Sequence, residues 1–160
     1  MSVPVGITVP KLLPVTGTFA PAFAVYYTVL NFRVSLIRLA EKTALGDSPK
    51  TSSGGSEGKP ADHSRHSDLF VACRAQSNFA DNVPFALILA AIAELNGANR
   101  RVMTASLAAL LLFRILHVEL GMRMKNAIGS GRRVGYVGTT GFLIGMSSYA
   151  AYLVKSYWGF

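Results

Sequence analysis

Acidic residues are scarce in this sequence: Asp and Glu together number 8 among 160 residues, against 16 Lys and Arg. Charged residues of both signs make up 15% of the chain, whereas soluble domains carry about 25%. Because 51% of the residues are hydrophobic, this shortage of charge excludes an ordinary soluble domain and favours an integral membrane protein. The net charge of +8 could indicate nucleic acid, but the basic residues lie mainly at the ends of apolar stretches. We therefore predict a single membrane domain, residues 1–160, with no nucleic-acid partner.

Cysteine is almost absent, and the single Cys73 excludes a disulfide within the chain, so the fold must depend on packing. The N-terminal residues lack the basic segment and small-residue cleavage site of a signal peptide, so we expect the first apolar stretch to remain as a membrane anchor. His63 and His66 form an H-x-x-H pattern in a segment rich in Gly, Ser and Pro, without further ligands. We interpret them as solvated histidines and predict no metal site.

Long apolar runs predict the fold. Leu12–Phe32 and Val134–Val154 each contain 21 residues without a charge, enough for a helix to cross a hydrocarbon core of about 30 Å. Pro14 and Pro21 in the first run favour a helix that begins near Phe19. Two further runs, which polar residues interrupt, lie between them. The sequence thus predicts an all-α, up-down bundle of four membrane-spanning helices, at about 12–38, 69–97, 100–122 and 133–155, with turns at 96–99 and 129–133.

The distribution of Lys and Arg predicts the orientation, because basic residues concentrate on the cytosolic side of membrane proteins. The side with the loop 40–68 has eleven of them and the opposite side has four. The eleven are Arg33, Arg38, Lys42, Lys50, Lys59, Arg65, Arg74, Arg123, Lys125, Arg132 and Arg133, and the four are Lys11, Arg100, Arg101 and Lys155. We therefore expect a cytosolic loop, with an aromatic belt of Tyr149, Tyr152, Tyr157 and Trp158 at the far interface.

Polar side chains recur at helical spacing within three of the predicted spans. They are Arg74, Asn78 and Asp81 on the second helix, Arg114, His117 and Gly121 on the third, and Arg132, Tyr136 and Thr139 on the fourth. Ionisable groups inside a membrane cost a few kcal/mol each unless they have a partner, a water cavity or a ligand. Each set lines one helix face, so the three sets could converge.

Two interpretations of these polar residues remain open. In the first, Arg114 pairs with Asp81 or Glu119, Asn78 bonds a neighbouring helix, and the cluster only joins the bundle together. In the second, the excess of arginine over carboxylate is balanced by an anionic ligand. A small channel or transporter is not favoured, since the sequence shows no inverted repeat and no helix broken twice by Gly and Pro.

The run from Arg74 to Pro84, RAQSNFADNVP, resembles the second-helix signature of the MAPEG family, the membrane-associated proteins of eicosanoid and glutathione metabolism. The family pattern is approximately R-A-x-x-N-x-x-E-x-x-P. Arg114 with His117 resembles the R-x-x-H of the third helix in this family. The segment RRVGY that ends at Tyr136 resembles the basic start of the fourth helix. The resemblance covers residues 19–154, and the family includes microsomal glutathione transferases.

The resemblance implies a homotrimer that binds glutathione as cosubstrate between neighbouring subunits, together with membrane lipid and a lipophilic small-molecule substrate. It implies that the carboxylates and amine of glutathione are held by Arg74, Gln76, Asn78 and Asp81. Further contacts would come from Arg114, His117 and Tyr136, and Arg33 is a further binding candidate. Arg132 or Arg133 would lie nearest the sulfur. The catalytic candidates are then Arg132, Arg133 and Tyr136. The expected membrane is the endoplasmic reticulum for a eukaryotic chain and the inner membrane for a bacterial one.

The implied activity is that of a glutathione transferase or peroxidase, in which the glutathione thiolate attacks a lipophilic electrophile or a lipid peroxide. Three positions depart from the family pattern. Asp81 replaces the usual glutamate, and Asn82 and Gly121 stand where some members carry tyrosine. These departures motivate an alternative function, a noncatalytic lipid-binding or scaffold membrane protein of the same fold.

Overall fold

The computed structural model describes residues 12–42, 68–124 and 129–159. These residues contain four α-helices, a π-helical turn and a short 3-10 turn, and no strand. In chain order the elements are α1 (Pro14–Ala40), α2 (Asp68–Leu95), α3 (Arg100–His117), the π turn (Val118–Met122), α4 (Ser130–Leu153) and the 3-10 turn (Lys155–Trp158). The prediction of an all-α four-helix bundle is confirmed. Most of the predicted loop 40–68, including His63 and His66, lies outside the described residues.

Three stretches, α1, α2 and Arg100–Met122, are each long and apolar enough to cross a membrane. α4 contains 24 residues, which rise about 36 Å and exceed a hydrocarbon core of about 30 Å. It is not among the three stretches with the hydropathy of a span, and its sequence is rich in glycine and hydroxyl residues. Large apolar side chains such as Phe32, Leu36 and Ile88 are exposed on the outside of the bundle, as a lipid-facing surface requires.

Aromatic rings from two helices pack in the core between α1 and α2. The buried ring of Phe79 stacks on Tyr27 at 5.8 Å between centroids and meets the edge of Tyr26 at 5.6 Å. Leu30 and Leu107 are among the largest fully buried side chains and extend this core. The apolar interior thus fixes α2 against α1, and α2 contains the polar residues Arg74, Asn78 and Asp81.

Glycines allow α4 to approach α3 closely. A Cβ atom at Gly131 would lie 2.4 Å from the carbonyl oxygen of Leu116, and one at Gly135 would lie 2.4 Å from the Cβ atom of His117. Real Cβ atoms do not approach so closely, so only glycine fits at these positions. The prediction that residues 129–133 form a turn is wrong in part, because α4 begins at Ser130 and this close packing extends the helix through its first arginines.

α1 begins at Pro14, within two residues of the predicted bound at 12, and not near Phe19, where the two prolines favoured a start. The carboxylate of Glu94 on α2 accepts hydrogen bonds from the backbone N–H of Val15 at 2.6 Å and of Thr16 at 2.8 Å. Pro14 has no N–H to satisfy and suits the first helical position. A contact between helices therefore supplies the cap, which the local sequence of α1 does not contain.

We expect Glu94→Ala to lower the stability of the protein by about 1–2 kcal/mol, because two N–H groups at the start of α1 lose their acceptor. Thermal unfolding in detergent would measure the loss. Asn96→Ala is the matched control, because Asn96 is exposed and its side chain bonds only the carbonyl of Ile92 in its own helix. Equal melting temperatures for the two variants would contradict a capping role for Glu94.

The turn between α2 and α3 is present where it was predicted. Gly97 adopts a left-handed φ of 84°, and the Asn99 side chain accepts a hydrogen bond from the N–H of Arg101 at 2.9 Å to cap α3. The Tyr149 hydroxyl accepts from the N–H of Asn99 at 2.9 Å. Tyr149, predicted as part of an aromatic belt, thus also joins α4 to this end of the bundle.

Candidate functional site

A buried guanidinium joins three helices at the centre of the predicted site. Arg114 on α3 is only 3% exposed. Its Nη1 donates to the side-chain oxygen of Asn78 on α2 at 2.9 Å, and its Nη2 donates to the carbonyl oxygen of Gly135 on α4 at 3.1 Å. The same carbonyl accepts from the hydroxyl of Thr139 at 2.8 Å. The three predicted polar stripes therefore meet at Arg114.

A second contact holds the first turn of α4 against the end of α3. The ring nitrogen Nδ1 of His117, which is 5% exposed, lies 3.1 Å from the carbonyl oxygen of Arg132. Gly121 packs directly beneath this turn, where a Cβ atom would lie 2.4 Å from the backbone nitrogen of Arg132. These contacts fix the backbone of the two arginines, while the side chains of Arg132 and Arg133 lie on exposed positions.

The pairing of Arg114 with Asp81 or Glu119, one of the two interpretations left open by the sequence, is not what the structure contains. Within residues 12–42, 68–124 and 129–159, the partners of Arg114 are Asn78 and the carbonyl of Gly135, and its Nε has none. The cluster nevertheless joins α2, α3 and α4, as that interpretation expected. The cluster can join the helices and also bind a ligand, because Arg114 uses only the side-chain oxygen of Asn78 and not its amide nitrogen.

Glu119 is the centre of a separate charged cluster, which the sequence did not predict as a unit. Its carboxylate forms ion pairs with Arg33 on α1 and with Arg123 at 2.6 Å, and Tyr26 donates to it at 3.3 Å. The spacing of Glu119 and Arg123, four residues apart on a helix, was the available signal. Arg33, a predicted glutathione ligand, is thus engaged by Glu119 within the chain.

The π turn positions this carboxylate. The N–H of Arg123 donates to the carbonyl of Val118 at 3.1 Å, a bond that spans five residues in place of four. Such turns are rare in α-helices and are frequent at functional sites. Glu119 lies within this turn and pairs with Arg33 of α1.

The remaining predicted residues divide between an internal contact and the protomer surface. The Gln76 side chain donates to the side-chain oxygen of Asn31 at 2.9 Å, which directs it toward α1. Arg74 lies over the Phe70 ring at 5.2 Å and is exposed. Asp81 is also exposed. On α4, Tyr136 is 64% exposed. Asn78, Arg114, His117 and the backbone of Arg132 are therefore brought together. Arg74, Asp81, Arg133 and Tyr136 lie on exposed positions of α2 and α4, whereas Gln76 and Arg33 are engaged at α1.

Among the residues that the structure describes, no three His, Cys, Asp or Glu side chains lie together as metal ligands would. The donors at this site are instead guanidinium, amide and imidazole groups. Guanidinium and amide donors suit carboxylates and other oxyanions rather than cations.

A comparison with models of known protein families matches residues 16–152 of the chain to the MAPEG family. The match begins near the start of α1 and ends near the end of α4, so it includes every helix of the bundle. No curated protein and no solved structure gives a significant match to the chain.

Proposed function

The chain belongs to the MAPEG family, and from this membership we propose that it is a membrane-bound glutathione transferase with glutathione peroxidase activity. The observation that carries the proposal is the site itself. Arg114, which is 3% exposed, joins the three segments that resemble the family pattern and holds the side-chain oxygen of Asn78, on the same helix as the exposed Arg74 and Asp81. MAPEG proteins are membrane-bound and include glutathione transferases as well as members that are not enzymes.

Glutathione has the chemistry to fit these donors, since it carries two carboxylates, an ammonium group and two amide carbonyls. We assign Arg74 and Asn78 to its carboxylates or carbonyls, because guanidinium and amide N–H groups donate to such oxygens. Gln76 is assigned to the same group of donors. Asp81 would accept from the ammonium. Arg33 becomes a ligand only if glutathione competes with Glu119 for it.

We propose that a second copy of the chain completes the site and that the protein is a homotrimer, as in the family resemblance. The exposure of Arg74, Asp81, Arg133 and Tyr136 supports this, because a ligand bound to one protomer alone would leave these groups in contact with lipid or solvent. The site would open toward the cytosol, on the side of loop 40–68, in the endoplasmic reticulum or a bacterial inner membrane. A detergent-corrected mass of three chains is expected.

The proposed mechanism is thiolate activation. A free thiol has a pKa near 8.5 and is mostly protonated at neutral pH, so lowering this pKa by about two units requires about 2.7 kcal/mol of preferential thiolate stabilisation. Arg132 or Arg133 would supply it by charge and Tyr136 by its hydroxyl. The sulfur then forms a bond to the electrophilic carbon as the leaving group departs. With a lipid peroxide, the sulfur takes the terminal oxygen, an alcohol leaves, and a second glutathione reduces the sulfenic acid to give a disulfide and water.

One observation favours the alternative, a noncatalytic lipid-binding or scaffold protein. Gly121 stands where some family members carry a tyrosine, and the first turn of α4 fills the space that a side chain there would need. A hydroxyl from the third helix is thus excluded by packing. The thiolate must then be stabilised by the start of α4 alone, or not at all.

Conjugation of a generic electrophile to glutathione by purified protein, in detergent and in liposomes, tests the enzyme proposal against this alternative. We expect saturable turnover in both glutathione and electrophile, and glutathione-dependent loss of a lipid hydroperoxide. Protein that binds lipid but gives no turnover above the uncatalysed rate would contradict the enzyme proposal and support the noncatalytic one.

A further inference from the structure

Arg114 is too enclosed to be a glutathione ligand in the way that the family pattern first implied. It is 3% exposed, and both terminal nitrogens already donate to protein oxygens on α2 and α4. Burying a guanidinium is costly, so its presence at the meeting point of three helices requires an explanation beyond packing. Its contact with Asn78 supplies one.

The chemistry of this contact fixes the orientation of the Asn78 amide. Guanidinium is a donor only, so the atom that faces Arg114 Nη1 at 2.9 Å must be the amide oxygen. The backbone carbonyl of Asn78 is engaged separately by the Asn82 side chain at 2.8 Å. The amide nitrogen Nδ2 therefore points away from Arg114. It has no hydrogen-bond partner in the described part of the chain and is not fully buried, and the Asn78 side chain is half-buried.

We propose that Arg114 is a positioning residue, which holds the Asn78 amide with its two N–H bonds presented to a carboxylate or carbonyl of the ligand. This inference rests on the proposed function and refines it. Arg114 acts through Asn78 and does not touch glutathione. The site thereby selects an acceptor group at this point, because an amide that was free to rotate would present oxygen as readily as nitrogen.

The carbonyl of Gly135 anchors the other side of Arg114. It accepts from Nη2 of Arg114 and from the Thr139 hydroxyl, so α4 fixes Arg114 and Arg114 in turn fixes Asn78. Thr139 shares the structural part of this arrangement without contacting Asn78. Thr139→Val is therefore a matched control that disturbs the same carbonyl and leaves the amide orientation intact.

The variant Asn78→Asp isolates the amide donor. A carboxylate at residue 78 keeps an oxygen for Arg114 and adds an ion pair, so we expect the fold to be retained, with an unchanged or raised melting temperature. It also replaces the N–H donor with a charged acceptor, so we expect the glutathione dissociation constant, measured by calorimetry in detergent, to rise about tenfold or more.

A double-mutant cycle then tests the role of Arg114. Asn78→Ala and Arg114→Met should each weaken glutathione binding about tenfold. The double variant should bind glutathione no more weakly than Asn78→Ala alone, because both single substitutions remove the same contact between the Asn78 amide and the ligand. Thr139→Val should bind within about twofold of the wild type even where its melting temperature falls. Arg114→Met should raise KM for glutathione by a larger factor than it lowers kcat.

The outcomes separate this inference from the proposed function. A wild-type protein that does not bind glutathione contradicts the proposed function. A wild-type protein that binds, with Asn78→Asp binding equally well, overturns the positioning role while the function stands. Losses that add in the double variant would show that Arg114 contacts the ligand directly and would also overturn it.

Discussion

Replacing Gly135 with alanine is expected to destabilise the protein by about 1–3 kcal/mol, the usual cost of overpacking a close contact. The new Cβ atom would lie 2.4 Å from the Cβ atom of His117 and 2.6 Å from the carbonyl oxygen of Phe113. Backbone on both sides cannot yield without separating α3 from α4. Since the Gly135 carbonyl also anchors Arg114, glutathione binding should weaken with the fold. Unfolding by SDS titration in mixed micelles would measure the loss.

Gly17→Ala and Gly141→Ala are the controls for this prediction. Both positions lie in helices, and a Cβ atom at either would meet nothing within 4 Å. Alanine is favoured over glycine in a helix by about 1 kcal/mol, so these variants should be as stable as the wild type or more so. If Gly135→Ala behaved like these two controls, the close packing of α4 on α3 would be refuted.

Replacing Arg132 and Arg133 together with alanine is expected to reduce kcat/KM for electrophile conjugation about 100-fold. The figure corresponds to the roughly 2.7 kcal/mol of thiolate stabilisation that the mechanism requires. The contact of His117 with the backbone carbonyl of Arg132 does not require either arginine side chain, and thermal unfolding of the variant measures how far the fold is kept. The single variants should show which arginine carries the effect. The ultraviolet absorbance of the thiolate on mixing with glutathione should fall in parallel.

The matched control is the double variant Arg100→Ala/Arg101→Ala. These adjacent arginines are also exposed in the first turn of a helix, at the start of α3 and at the other end of the bundle. Replacing them removes the same charge from the protein, so a nonspecific effect of net charge on glutathione binding would appear in both double variants. Equal activity of the two double variants would exclude a catalytic role for the start of α4.

The sequence predicted the helices because long apolar runs depend on local composition alone. The helix boundaries that it missed depend on distant residues. α1 begins at Pro14 because Glu94, 79 residues away from Val15, caps it. α4 begins at Ser130 because Gly131 and Gly135 fit against α3. Nothing in the segment of α1 indicates Glu94, and the glycines at the start of α4 do not indicate which surface of α3 they meet.

The candidate site was predicted to the level of helix faces. The spacing of Arg74, Asn78 and Asp81 placed them on one side of α2, and that of Arg114 and His117 did the same on α3. Partner choice was not predictable in this way, because it depends on the depth at which helices pack. One of the two open interpretations paired Arg114 with a carboxylate, and its partners are instead an amide and a backbone carbonyl.

Equilibrium binding of glutathione to the purified wild-type protein in detergent tests the central claim most directly. Calorimetry should show saturable binding, and mixing should produce thiolate absorbance that titrates with the same dissociation constant. The Asn78→Asp variant, examined in parallel, should bind about tenfold or more weakly while melting at the same or a higher temperature. A wild-type protein that is folded, yet gives neither binding heat nor thiolate absorbance with glutathione, would contradict the account.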